Sequence, residues 1–213
     1  MDVSGVAIAT VSSNLFSVIF LFVALTKSEF KVTLDLSKYK IDRTLLIQIM
    51  QMGIPSGLQG SVFSIANVII QSCINSLGTT IMAASSASAN VELFALYILT
   101  SFGQTCTTFV GQNSGAKRPD RCKKVLKLCL AENLVIMGTM IFLLLTFSGQ
   151  ILGLFNTDPD VIAAGIDRLT LILSTYFFSF IYENMAGYLR GFGISTTPAI
   201  ITMSGVCGTR LFW

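Results

Sequence analysis

The sequence predicts an all-α fold, a polytopic bundle of membrane helices, and three observations carry that prediction. Of the 213 residues, 53% are hydrophobic and only 12% are charged, about half the charged share of soluble domains. Apolar runs recur at the length that crosses a hydrocarbon layer. Lysines and arginines gather in alternate connections, the pattern that orients membrane helices. The mean hydropathy of +0.73 agrees with all three.

Six stretches reach or approach the roughly 20 residues of a span: 6–26, 54–77, 88–110, 126–147, 166–189 and 198–213. The first has Asp2 before it and Lys27 and Lys31 after it, which is the reverse of a secretory signal peptide. Its C-terminal end therefore reads as cytoplasmic. That orientation suits a chain that has already crossed the membrane, so Met1 reads as an internal residue or late start of a longer protein. Residues 41–52 place Ile41, Leu45, Leu46 and Ile49 at helical spacing among polar neighbours, which predicts an interfacial segment leading into the second span.

The second span opens with Gly53-Ile54-Pro55-Ser56-Gly57. Between the second and third spans stands Gly78-Thr79-Thr80, without charge. The third runs into "FVGQNSGAKRPDRCKK", whose basic residues Lys117, Arg118, Arg121, Lys123 and Lys124 continue to Lys127. Between the fourth and fifth lies the acidic Asn156-Thr157-Asp158-Pro159-Asp160, with 152–155 expected to lie in the interface just before it. Arg190 follows the fifth. With Lys38, Lys40 and Arg43 of the first connection, twelve of the 14 basic residues fall on one side, and that side reads as cytoplasmic. The sixth run is about three-quarters of a span and lacks a polar flank. The sequence reads as cut at both ends.

Composition also excludes functions. A net charge of +3 is too small to argue for nucleic acid, and without histidine there is no imidazole ligand, triad or proton relay. Cys73, Cys106, Cys122, Cys129 and Cys207 form no CxxC pair, so free thiols are expected, with no zinc site or disulfide framework. No catalytic set, metal site or cofactor motif stands out, so an enzyme is not expected.

Polar groups in hydrocarbon are costly unless they meet a partner or a water-filled path. The second span carries Gln59, Ser64, Asn67, Gln71 and Asn75, the last three spaced by four on one drifting stripe. Such a stripe either lines a cavity or bonds to neighbouring helices, each bond contributing only ~0.6 kcal/mol. Glu92 and Glu183 lie inside spans. Each reads as an ion-coupling or cation-binding acid, or as half of a structural pair, with Arg210 the candidate partner. Glu132 and Asp167 read as flanks. Tyr97, Tyr176 and Tyr182 could stack on a cationic ligand or simply pack. Gly187, Gly191, Gly193 and Pro198 bracket the fifth-to-sixth connection as packing or hinge residues.

The ordered segments "GIPSGLQGSVFSIANVIIQSCINSLG", "ASANVE", "FVGQNSGAKRPDRCKKV", "GLFNTDPDVI" and "YLRGFGISTTPAI" resemble the MATE (multidrug and toxic compound extrusion) family. The resemblance covers nearly the whole chain. It implies the sixth to eleventh helices of a twelve-helix, two-lobe transporter: the last helix of the N-terminal lobe in 1–27, an inter-lobe linker with an interfacial helix in 28–52, and an incomplete C-terminal lobe in 53–213. The missing N-terminal lobe would then be this chain's partner in the lipid bilayer. The family exports cationic and amphipathic compounds by rocking its lobes, driven by Na⁺ or H⁺, with no other cofactor. Glu183 and Glu92 match acidic positions of that family. Gln59, Asn67, Gln71, Asn75, Tyr176 and Asn184 are expected along the cavity. Pro55, Gly111, Gln112, Asn113, Gly115, Arg190 and Gly191 are expected at elbows or hinges, with the Gly111–Gly115 glycines suiting the bend between the eighth and ninth helices. The stretch Gly60-Ser61-Val62-Phe63-Ser64 lacks the carboxylate that some branches use for sodium.

The resemblance thus implies a secondary antiporter for multidrug efflux, integral to a bacterial plasma membrane. A lipid-linked oligosaccharide flippase of the same superfamily is the alternative, disfavoured because Arg210 is the one candidate cation in the cavity. A truncated membrane protein that transports nothing is the rival from another class.

Overall fold

The computed structural model describes residues 3–27 and 41–209. Arg210, the expected partner of Glu183, lies outside them, as do Lys31, Lys38 and Lys40. All regular structure among the described residues is helical: α1 (Val3–Lys27), α2 (Arg43–Ser76), α3 (Thr79–Gly115), α4 (Pro119–Thr146), the short α5 (Ser148–Gly153), α6 (Pro159–Gly191) and α7 (Thr196–Thr202), which passes into a π-helical turn, Met203–Cys207. Five helices are long and apolar enough to cross a membrane: α1 over Gly5–Thr26, α2, α3, α4 and α6. The expected sixth span begins as α7 and its π-turn and stays helical to Thr209, and 210–213 fall outside the described residues.

The chain divides into two compact units, Met1–Leu46 and Ile47–Trp213. In the first, α1 exposes apolar side chains along its whole length, among them Val6, Phe16 and Phe20. Most of its surface is apolar, which suits lipid, and Thr10, Ser13, Asn14 and Ser17 fall at helical spacing on one narrow polar stripe.

The second unit is built on α3, α4 and α6, and helix ends in both units follow from local chemistry. The Asp42 carboxylate accepts hydrogen bonds from the Thr44 and Leu45 N–H groups at 2.8 and 3.3 Å, capping α2. α2 then runs unbroken through Met52 and Pro55. The expected interfacial segment and second span are therefore one helix, as membrane helices tolerate an internal proline. The acidic connection before α6 is a cap: Asp158 accepts from the Asp160 N–H at 3.0 Å, and Pro159 takes the first helical position. In α5, Leu152 is buried against the bundle, while Leu154 and Phe155 beyond it stay exposed.

Lipid gives helices no hydrophobic reason to associate, so they hold together through close van der Waals packing at small residues. α3 and α6 do this in parallel. Near the Thr79 end, the Ser88 hydroxyl lies 2.8 Å from the Ala84 carbonyl and 3.0 Å from that of Gly165. Near the basic end, the Thr107 hydroxyl lies 2.9 Å from the Gly103 carbonyl and 3.0 Å from that of Gly187. A Cβ on Gly187 would overlap the Gly103 carbonyl, so the two backbones meet where only glycine fits. α4 runs antiparallel to α3, bringing Cys122 to 3.7 Å from the Val110 carbonyl beside buried Cys106 and Cys129. Val91, Ala95, Leu99, Met137, Leu173 and Phe180 fill the rest of the seam. α2 stands apart: Ala66 is its one buried residue.

Candidate functional site

Two carboxylate centres sit at the α3–α6 seam. In the first, Glu92 of α3 reaches across to α6. Its Oε1 accepts the Tyr176 hydroxyl at 2.8 Å, and its Oε2 lies 3.6 Å from Arg168 Nη2. The Arg168 and Glu92 side chains are 28% and 22% exposed. Arg168 Nη1 is buried with no hydrogen-bond partner among the described residues. Glu92 is thus tied to α6 by two polar contacts, and Tyr176 is buried in the seam instead of lining an open wall.

In the second centre, Glu183 Oε1 receives a hydrogen bond from Arg190 Nη1 at 3.1 Å, two turns further along the same helix. Glu183 is 16% exposed and Arg190 24%. Among the described residues Arg190, expected at a hinge, is thus the cation beside Glu183. The Glu183 side chain crosses the bare α-carbon of Gly103. A Cβ there would lie 2.8 Å from Glu183 Cγ and 2.9 Å from Oε1.

The amides divide. Gln59 Nε2 reaches the Tyr182 hydroxyl at 3.4 Å, a polar tie between α2 and α6, and Tyr182 in turn meets the Thr202 hydroxyl of α7. Tyr182 therefore acts as a helix junction. Asn67, Gln71 and Asn75 lie on the exposed surface of α2, where Gln71 Nε2 donates to Asn75 Oδ1 at 2.9 Å. Asn184 differs from its expected place on a cavity wall. It is fully buried, donating to the Phe180 carbonyl at 2.8 Å, with Oδ1 unpartnered among the described residues. Asn133 of α4 is likewise fully buried, and neither of its amide atoms has a partner there.

The bend expected at Gly111–Gly115 sits later in the chain. Those residues, with Gln112 and Asn113, complete α3, and Asn113 Nδ2 bonds back to the Phe109 carbonyl at 2.8 Å. The chain reverses at Lys117, whose φ of +56° is left-handed, before Pro119 opens α4. Gly191 is a packing residue: a Cβ on it would stand 2.7 Å from Val110 Cβ. Pro55 lies inside α2, and the left-handed glycines are Gly78 and Gly193, in the turns flanking α3 and α7. Arg168 and Gly103 are the functional candidates that the sequence concealed. Neither stands near its acid in sequence, so a known helix register was the missing signal.

The MatE family model matches residues 55–212. The chain is 26% identical over 99% of its length to the probable multidrug resistance protein YoeA of Bacillus subtilis, of which it covers 46%. It is 25% identical over 99% of its length to the probable multidrug resistance protein NorM of Thermotoga maritima, covering 45% of that protein. A FAD transporter of Shewanella oneidensis is 26% identical over 76% of the chain, which covers 36% of it. Among solved structures, a MOP superfamily transporter from Pyrococcus furiosus superposes on 76% of the chain and 37% of its own, with a TM-score of 0.68 at 16% identity, a likeness of fold. The chain spans about half the length of the curated relatives it matches. With the family model covering most of its residues, and five helices able to span a bilayer, the chain is an integral membrane protein and belongs to the MatE family.

Proposed function

We propose that the protein containing this chain is a secondary antiporter that exports organic cations or amphipathic drugs from a bacterial cell in exchange for Na⁺ or H⁺. In this reading it acts in the plasma membrane as a transporter, not an enzyme. A second lobe completes the path that this chain partly walls. The names of its relatives, two multidrug resistance proteins and a FAD transporter, support a transport role.

The Glu183–Arg190 pair carries the reading. An ionisable residue inside a membrane segment is expensive and marks a path for ions or substrate. Here the acid is neither isolated nor sealed, since 16% of it remains accessible. A proton or a cation that reaches Glu183 competes directly with the guanidinium, so binding frees Arg190 and changes the charge presented to the path. Both partners stand on α6, so the exchange requires no separation of helices. The exposed amides Asn67, Gln71 and Asn75 give α2 a polar strip that an amphipathic cargo can use.

The test is export of a fluorescent organic cation by the whole protein in vesicles, with the Na⁺ and pH gradients imposed separately. Glu183→Gln is expected to lower the gradient-driven rate about tenfold or more, the scale of one lost charge-assisted hydrogen bond. A rate equal to wild type under both gradients removes Glu183 from coupling.

A further inference from the structure

We infer that Gly103 is a positioning residue for Glu183: its bare α-carbon forms the floor across which the carboxylate is held against Arg190. The inference rests on reading Glu183 as the group that answers the coupling cation. Its support is geometric. A Cβ at Gly103 would approach Glu183 Cγ to 2.8 Å, Oε1 to 2.9 Å and Cδ to 3.3 Å. All three contacts belong to the one side chain, and none to the α6 backbone.

Gly187, one turn after Glu183 and opposite the same point of α3, behaves differently. A Cβ there would meet the Gly103 carbonyl, carbonyl carbon and α-carbon, which are backbone. The two glycines therefore divide the work. Gly187 lets α3 and α6 approach, and Gly103 leaves room on the approached surface for an acid to lie flat. Without that room the carboxylate swings away from Arg190 Nη1, which donates to it at 3.1 Å. Glycine inside a helix has a conformational cost relative to alanine, and here the requirement for it comes from α6.

The experiment compares Gly103→Ala, Gly103→Ala/Glu183→Ala, Gly187→Ala and Gly187→Ala/Glu183→Ala in the whole protein, with Glu183→Gln as the control. A hydrophobic carbodiimide, which reacts with protonated carboxyl groups, reports how far Glu183 has left its counter-ion, independently of transport. Gly103→Ala is expected to raise carbodiimide labelling of Glu183 about tenfold, the fold-change of one lost hydrogen bond to a charge, and to raise the coupling-cation concentration at half-maximal export. Labelling unchanged from wild type in folded Gly103→Ala overturns the assignment.

Should Gly103→Ala fail to accumulate, the double variant decides. Recovery in Gly103→Ala/Glu183→Ala shows that the clash runs through the acid, whereas continued failure shows a purely structural glycine and overturns the inference. Gly187→Ala is expected to lose the same stability with or without Glu183→Ala, and its rescue by Glu183→Ala would also overturn the division of roles. If Glu183→Gln exports normally while Gly103→Ala still raises labelling, the coupling reading falls and the positioning role stands.

Discussion

Glu92 and Glu183 both lie at the α3–α6 seam, each near a hydroxyl that bridges the two helices, yet their partners come from different places. Glu92 is held across the seam, by Tyr176 and Arg168 of the opposite helix. Glu183 is held along its own helix by Arg190, and it lies across the bare surface of Gly103 of α3. A cross-helix pair resists any relative movement of the helices, because moving them separates the charges. An intra-helix pair is not pulled apart by such movement, although Glu183 lies against Gly103 of α3, and it responds to whatever reaches its exposed side. The chemistry is shared and the arrangement differs, and the proposed function assigns partner exchange to Glu183 on that difference.

The largest expected effect tests the seam itself. At the basic end, Gly187→Ala forces a methyl into the Gly103 carbonyl, which cannot rotate away. Thermal unfolding in detergent is expected to show a loss of about 3 kcal/mol or more, the upper range for overpacking. At the opposite end, Gly165→Ala meets Leu152 Cδ1 at 3.0 Å and Ser88 Oγ at 3.2 Å, both ends of side chains that can shift. The loss there is expected near 1 kcal/mol. Equal losses at the two sites would show that the ends of the seam are alike.

A smaller effect separates the two acids. Tyr176→Phe removes the shortest contact to Glu92 and is expected to lower stability by about 1 kcal/mol, the net scale of one hydrogen bond. Export is expected to fall only in proportion to the folded protein remaining. Arg168→Gln should act alike, and because both partners are more than a fifth exposed its stability effect stays at or below about 1 kcal/mol. An export defect in either variant beyond the loss of folded protein would return Glu92 to a coupling role.

The spans were legible because length and apolarity are properties of a run, whereas the acidic stretch at Asp158-Pro159 was read only as a connection and the structure shows it to be a cap. The partners of the acids were not legible. Glu183 and Arg190 are seven apart, beyond the three- and four-residue spacings at which helical neighbours are usually sought. Glu92 meets Arg168 only once α3 and α6 are set in register. Gly103 looks in sequence like any glycine in an apolar run, and its role depends on an acid eighty positions later. Asn184 is polar in sequence but stands on the buried stripe of α6 with Phe180 and Gly187, which sequence alone could not separate from a cavity wall.

The smallest effects test α2 and the end of α3. Gln59→Leu removes the 3.4 Å contact to Tyr182, a long bond whose loss is expected to matter by ~0.6 kcal/mol or less. At Gly111 the sign itself is informative. A Cβ there would meet only the Gly191 carbonyl, at the ordinary distance of 3.5 Å, and the residue lies inside α3 with no left-handed φ. Alanine fits that backbone better than glycine, so Gly111→Ala is expected to leave stability unchanged or raise it by up to about 1 kcal/mol. A hinge glycine would behave otherwise, since stiffening it would slow export even as the fold gained stability. Undiminished export with unchanged or higher stability would place the bend between α3 and α4 at Lys117, where the backbone is left-handed, and would make Gly111 part of the same close-packed surface as Gly191.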